Sequence, residues 1–473
     1  MNLEELRKYR HHGGVAIIII ALIIYKFRFL SLPYFWDEAW PYSVGVHNLY
    51  DNGLSLMPGA ISSFVARGHP LMFHFLAAAW MNVFGTSLLS GHSFSMFVSI
   101  LLIITIYVFC KTFFSERVGF IACLLFSCQA IFIAQSAFLM PEVLMALWTM
   151  VCFLAFFREK NILFVVFGTA MLLTKESGGV FFIALFFYEC FVFIAANEKD
   201  YKGLFKKLSL ICIPVLLASV NFIIQKIKFG WFLYPFYLDH VSFSWRNFTE
   251  TLPSAAAYSF IYYGRNGFSI FFIISLLVIF IFRKIKFTQN EKKVISFFSV
   301  FIASYLIFSS VNYYIPRYLM CIFPPFYIIG TVLIDKAFSR IKIIYPLVIS
   351  GLIITSIFFY LQPRRYGDMD YSPSVNTDLQ MVEFCEKQKL YDEHILVRGL
   401  LSGDLTEAYD GYLSGKKFNH IEWGFSGETE YCIFSGDEDN NAEFDKIKNE
   451  HKLELIKRFE QKYAWCEIYK VVH

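Results

Sequence analysis

Apolar stretches separated by short polar breaks recur along most of the chain, near residues 14–30, 93–112, 118–138, 141–157, 161–174, 177–196, 208–226, 267–283, 291–311, 316–334 and 341–360. Most are about as long as the roughly 20 helical residues needed to cross ~30 Å of hydrocarbon. The pattern predicts eleven membrane-spanning helices, 161–174 being the shortest. The runs are too continuous for the alternating strands of a barrel, and backbone in lipid must bond within itself. The stretch from His69 to Gly85 is also apolar, but it holds His74, Trp80 and Asn82. It reads as a helix lying on the membrane surface. Trp40, Val44, Leu49 and Leu54 recur at roughly helical spacing, which predicts a second surface helix over 40–56. Gly53, Pro58-Gly59 and Gly68 punctuate this region.

After Tyr360 the pattern changes to polar and charged, with short alternating segments. These predict strands near 394–397, 431–434 and 465–469 and helices near 376–389 and 442–457. The expected architecture is an all-α polytopic membrane domain over residues 1–360, with about eleven transmembrane helices and surface helices in an outer loop, 31–92. A small soluble α/β domain follows over 361–473.

Composition agrees. Hydrophobic residues make up 57% and charged residues 17%, against about 25% charged in soluble domains. Net charge is +4 without a dense basic tract, so nucleic acid is excluded as a partner class. The segment before Gly14 is polar and basic, and the run after it lacks a small-residue cleavage site, which predicts an uncleaved first span. Lysine and arginine in short loops set the sidedness. Arg7-Lys8-Tyr9-Arg10, Lys111 and Arg117, Arg158-Glu159-Lys160, Lys199 to Lys207, Arg283 to Lys293 and Lys336 to Lys342 fall on one, cytoplasmic, side. The opposite side receives 31–92, Met140-Pro141-Glu142, Lys175-Glu176, 227–266, Asn312 to Arg317 and the C-terminal domain. Arg364-Arg365 runs against the trend and joins that domain to the interface. In a bacterium this is a multi-pass protein of the inner membrane. Ten cysteines are scattered without CxxC or Cys/His clusters, so no zinc site is indicated. Cys432 and Cys466 allow either a disulfide or two buried thiols.

Charged residues on the outer side are the candidate chemistry. Asp37-Glu38, between Trp36 and Trp40, supplies adjacent carboxylates: a general base with a partner that holds the loop or an acceptor, or two acids at the N-terminus of the surface helix. Glu142 follows Pro141, where an acid equally suits a helix start. Arg317 is a phosphate clamp or an interfacial arginine that snorkels. Lys175 is a second phosphate ligand or pairs locally with Glu176. His69, Arg67 and Arg265 complete the candidate donor-phosphate residues. Acids for an acceptor and cations for a phosphate suit transfer of a group from a lipid phosphate that enters from the bilayer. Neither a P-loop nor a GxGxxG after a strand is present. No cofactor is implied. A divalent cation is chemically compatible with Asp37, Glu38, Glu142 and His69, whose spacing carries no coordination signature.

The order of these motifs resembles a known family. Trp36-Asp37-Glu38-Ala39, Gly68-His69-Pro70-Leu71, Phe84-Gly85, Arg117-Val118-Gly119, Pro141-Glu142, Leu173-Thr174-Lys175 and Pro316-Arg317-Tyr318-Leu319 resemble the polyprenyl-phosphate-dependent glycosyltransferases of the GT-C superfamily, over roughly 15–335. The protein O-mannosyltransferases and lipid A aminoarabinose transferases are branches of it. The resemblance implies inverting transfer of a sugar from a dolichyl- or undecaprenyl-phosphate donor on the extracytoplasmic side. It implies that Asp37 is the loop acid, Glu142 the second acid, Arg317 a residue near the lipid phosphate and Lys175 a recurrent lysine. His69 matches the His-Pro of mannosyltransferases, whereas Leu71 departs from the motif's second proline. The acceptor is a hydroxyl or amine of a glycan, lipid or protein. Two other classes compete: a transporter or flippase of lipid-linked glycans, which requires mid-membrane charges in broken repeats, and a receptor acting through its soluble domain.

Overall fold

The computed structural model describes residues 3–239, 241, 243–282, 285–312, 315–361, 372–397, 401–406, 408–436 and 441–472. Arg364-Arg365 lies outside the described residues.

Each of the eleven apolar runs contains helix among the described residues, but fewer than eleven are long enough to be spans. The first gives α1 (Leu3–Phe27). The following loop contains a π-helical turn, Glu38–Ser43, and α2 (Val44–Asn52). The expected helix over 40–56 is therefore displaced: the backbone kinks at Trp40, and Gly53 ends the helix at a φ of 98°. The next helix, α3 (Met72–Phe84), has 13 residues. At 1.5 Å per residue it is about 20 Å long, too short to cross the hydrocarbon. Ser87 and Ser115 cap α4 (Leu88–Phe113) and α5 (Glu116–Ser127), each accepting a backbone N–H with its hydroxyl. The run expected over 118–138 breaks after Ser127 and resumes as α6 (Ala130–Gln135).

Pro141 opens α7 (Pro141–Phe157), followed by α8 (Asn161–Thr174), a 3-10 turn at Glu176–Gly178 and α9 (Gly179–Ala195). Next come α10 (Tyr201–Phe229) and the short α11 (Pro235–Asp239). The pair α12 (Trp245–Phe260) and α13 (Arg265–Ile281) bends by 90°. A capping box of Thr288 and Glu291 starts α14 (Gln289–Val311). A 3-10 turn, Pro316–Ile322, leads into α15 (Phe323–Phe338), and α16 (Ile344–Leu361) completes the helical part. Among the described residues, seven helical segments are long and apolar enough to cross a membrane, or eight if the bent pair is one span. The chain is a multi-pass integral membrane protein.

Phenylalanine edges lock the bundle. The Phe153 ring packs against Phe181, Phe297, Phe298 and Phe301 at centroid distances of 5.0, 5.1, 4.5 and 5.3 Å. Such contacts add about 0.5–1.5 kcal/mol each beyond buried area. They tie α7, α9 and α14 together. The segment ending in α15 is buried on nearly all sides and forms the centre of the packing.

The C-terminal part comprises α17 (Ser372–Lys387), α18 (Leu401–Asp404), α19 (Asn441–Glu450) and a five-stranded sheet. Its strands are β1 (His394–Val397), β2 (His420–Glu422), β3 (Tyr431–Ser435), β4 (Leu453–Gln461) and β5 (Ala464–Val471), in the order β2-β1-β3-β5-β4. The first three strands in that order are parallel and the remaining pairings antiparallel. The helix expected over 442–457 ends at Glu450. Beyond it, a β4–β5 hairpin pairs Gln461 with Ala464, and this ladder outweighs the good helix propensity of the Leu, Glu and Lys residues. Cys432 and Cys466 are both buried. In the β3–β5 register Cys432 faces Tyr469 and Cys466 faces Ser435. The offset of three puts the two sulfurs on opposite faces of the sheet, which rules out the disulfide.

Candidate active site

The site is built where the first loop meets the ends of α7 and α8 and the turn before α15. Trp36 adopts a left-handed φ of 56°, costly for an aromatic residue, and the chain turns so that its next two acids diverge. Glu38 points inward and is fully buried. Its Oε1 accepts from Leu139 N at 2.6 Å and lies 3.0 Å from His92 Nε2, while Oε2 accepts from Phe35 N at 3.3 Å. His92 is held in turn by the Leu30 carbonyl, 2.9 Å from its Nδ1.

Asp37 sits at the N-cap of the π-helical turn, but its side chain makes no capping bond. Its carboxylate, 23% exposed, instead pairs with Arg317 Nη2. The helix-start reading of this acid is thereby replaced by an ion pair. Arg317 follows Pro316 in the 3-10 turn and is 0% exposed, so it does not snorkel. Its guanidinium carbon lies 5.7 Å from the Trp36 ring and 5.5 Å from Tyr318, and its Nε is 3.8 Å from Glu142 Oε1.

Glu142, in the first turn of α7, is buried. Its Oε1 accepts from Lys175 Nζ at 3.3 Å, and its Oε2 has no hydrogen-bond partner among the described residues. Lys175 lies in the turn after α8, its Nζ 3.7 Å from the Tyr318 ring centre. Burial opposes its charge, but the neighbouring Glu142 more than offsets this, and its pKa rises above the ordinary lysine value. Lys175 does not pair with Glu176. Glu176 is 2.7 Å from His69 Nδ1, because extended backbone at Lys175 before the 3-10 turn sends the two neighbours apart.

Four of the candidates thus form one row of alternating sign: Asp37, Arg317, Glu142, Lys175. His69 joins beside Lys175 through the cavity described below. Arg67 is half-buried and stacks over the Trp40 ring at 4.7 Å. It forms no ion pair with the row among the described residues. Arg265 is buried at the α12–α13 bend, donates to the Tyr258 carbonyl, and lies 4.7 Å from the Phe323 ring centre. Trp36, Tyr318, Glu176 and His92 were not singled out as site residues by the sequence. The first three adjoin residues that were, whereas His92 carries no local signal. Among the described residues no group of three His, Cys, Asp or Glu side chains is placed to hold a metal ion; Asp37 and Glu142 face cations.

A cavity of about 490 Å³ opens beside the row. His69, Lys175, Glu176, Ser177 and Tyr318 form its polar end. Its walls include Leu233, Leu238, Val241, Phe243, Phe308 and Val311. An apolar chain with an anionic head fits this distribution. Gly68, just before His69, has a φ of 68° and packs against the Tyr234 side chain, which also lines the cavity. A Cβ there would clash and also force an unfavourable backbone.

Residues 68–224 match the sequence model of the dolichyl-phosphate-mannose-protein mannosyltransferase family. This segment holds His69, Glu142 and Lys175 but neither Asp37 nor Arg317. No curated protein matches the chain in sequence. Among solved structures, ArnT from Cupriavidus metallidurans, bound to undecaprenyl phosphate, is similar over 96% of this chain and 98% of its own. The TM-score is 0.61 at 10% identity. The chain has the fold of that ArnT structure. The arabinofuranosyltransferase AftD from mycobacteria overlaps 98% of this chain and 40% of its own length, with a TM-score of 0.45 and 11% identity. The chain therefore resembles the polyprenyl-phosphate-sugar glycosyltransferases of the GT-C superfamily in one sequence segment and in overall fold.

Proposed function

We propose that this protein is a membrane glycosyltransferase that moves a sugar from a polyprenyl-phosphate donor to an acceptor hydroxyl or amine on the extracytoplasmic side, with inversion. The observation that carries this reading is the ion row itself. It leads from a partly exposed carboxylate, Asp37, through buried Arg317 and Glu142, to Lys175 at the polar end of an apolar cavity.

In this reading the lipid chain occupies the apolar walls and the phosphate exchanges into the cations. Lys175 offers a point charge and Arg317 a planar fork of donors. Asp37 accepts the proton of the acceptor as it attacks the sugar's anomeric carbon. The bond from that carbon to the phosphate oxygen breaks, and the electron pair leaves with the lipid phosphate, whose growing charge the cations stabilise. Glu142 holds both cations in register until phosphate takes its place. Glu38 acts as a positioning residue for the acid loop. The acceptor is a glycan, lipid or protein group reaching the exposed side of Asp37.

Mass spectrometry of lipid co-purifying with the protein tests the donor class: a polyprenyl phosphate or its sugar ester is expected. Asp37→Asn is expected to bind undecaprenyl phosphate normally and to lose transfer. A fully active Asp37→Asn sinks the base assignment, and a protein that binds no polyprenyl phosphate sinks the donor class.

A further inference from the structure

The C-terminal part reaches the acid loop through one buried carboxylate. Asp410 is 0% exposed. Its Oδ1 accepts from the Ser43 hydroxyl at 3.2 Å, a donor shared with the Ala39 carbonyl at 2.5 Å, and its backbone carbonyl accepts from Tyr34 N at 2.9 Å. The preceding Tyr409 ring stacks on His47, with centroids 4.9 Å apart and planes 19° apart. His47 Nδ1 lies 3.0 Å from the Ser43 carbonyl. Gly411, at a φ of 94°, is packed against Leu88 at the start of α4. Residues 409–411 therefore touch the first loop at positions 34, 43 and 47, on both sides of Asp37.

A carboxylate taken out of water is costly unless it is paired or hydrogen-bonded, and removing its partner leaves that cost uncompensated. Glu38 anchors the acid loop to α4 and to the segment before α7. Asp410 anchors the same loop from a region more than 300 residues later in the chain. The contacts above are made with the backbone of Tyr34, with Ser43 and with His47, residues of the acid loop outside the ion row. The anchor sets where the loop stands rather than taking part in the charges.

We propose that Asp410 is a positioning residue for Asp37, so that the C-terminal part belongs to the reaction centre. The inference rests on the reading of Asp37 as the acceptor-activating acid. Placement of a reacting group by about 1 Å can change rate a hundredfold, so kcat is the quantity to follow.

The test uses the full-length protein in detergent. Release of undecaprenyl phosphate from undecaprenyl-phosphate-linked mannose or aminoarabinose is measured with membranes as acceptor source, and undecaprenyl phosphate binding is followed separately. Asp410→Ala and Ser43→Ala are each expected to lower kcat about tenfold or more, with donor KM and undecaprenyl phosphate affinity within twofold. The double variant should lose less than the sum of the two single losses, because both singles remove the Asp410–Ser43 contact. Asp410→Asn, which keeps an acceptor oxygen for Ser43, should recover most of the rate. Asp392→Asn, an exposed site on the same C-terminal part, is the control. Wild-type kcat in both single variants, or additive losses, overturns the proposal. So does a parallel loss of donor binding. If Asp410→Ala does not fold, Ser43→Ala removes the same contact from the membrane side, together with the hydroxyl's bond to the Ala39 carbonyl, and wild-type kcat in Ser43→Ala then overturns the proposal. An active Asp37→Asn in the same assay removes the underlying reading. An inactive Asp37→Asn beside active Asp410→Ala and Ser43→Ala removes only the positioning role.

Discussion

The pockets around Glu38 and Glu142 hold equally buried acids in unlike company. Glu38 has two backbone N–H groups and a histidine, spread over both oxygens. Glu142 has two full cations on one oxygen and no hydrogen-bond partner among the described residues on the other. Backbone donors cannot leave, so the Glu38 pocket is a fixed joint. Side-chain cations can turn to a stronger anion, so the Glu142 pocket is one that ligand can rearrange. Burial alone does not separate structure from site; the mobility of the partners does.

The contrast is broken or sharpened by experiment, beginning with the acid next to Glu38 that faces the cations. Asp37→Asn should lower transfer by about 100-fold or more, within the range for loss of a general base, while thermal unfolding in detergent stays near wild type. Glu38→Ala strips the fixed joint. It leaves the Leu139 N–H and His92 without their acceptor and should destabilise by about 3 kcal/mol or more, seen as a lower unfolding midpoint. Arg317→Lys keeps the charge but loses the fork and should slow transfer by about tenfold. Glu142→Gln should move opposite ways in two assays, with undecaprenyl phosphate binding about tenfold tighter, because the cations lose their internal competitor, and transfer slower. Equal binding in Glu142→Gln and wild type removes the idea that this pocket exchanges partners.

The smallest effect belongs to the C-terminal sheet. Glu422 hydrogen-bonds His394 and holds its pKa above the ordinary value; partial burial opposes the shift, and the charges of Glu422, Glu428 and Glu430 reinforce it. A raised folded-state pKa means that this contribution is fully present below about pH 6.5 and is lost as pH rises through the raised value. His394→Ala should flatten that slope in pH-dependent unfolding.

Much of the helical part was legible because lipid imposes one simple rule on sequence, a long apolar run, and each such run contains helix among the described residues. The 442–457 segment was misjudged because its strand is specified by a partner, β5, and by a tight hairpin, neither of which a local window contains. At the site, Asp37, Glu142, Lys175 and Arg317 stood out as charges in an apolar chain, and their meeting follows from helix ends sharing one end of the bundle. Lys175 and Glu176 were harder, since adjacency suggested a pair and the backbone sends them to Glu142 and His69 respectively. Asp410 left no trace, being one aspartate among many in a polar region, with a role set by burial against a loop far away in sequence.

The cavity beside Lys175 is no larger than those that hold drug-sized molecules. A long polyprenyl tail cannot be enclosed in it. For the donor proposed above, this cavity grips only the first units next to the phosphate, and the remainder is left to the surrounding acyl chains. Tail length should therefore govern how firmly a donor partitions into the bilayer and hardly at all how fast it reacts once seated, so that truncated, detergent-soluble donors become practical substrates.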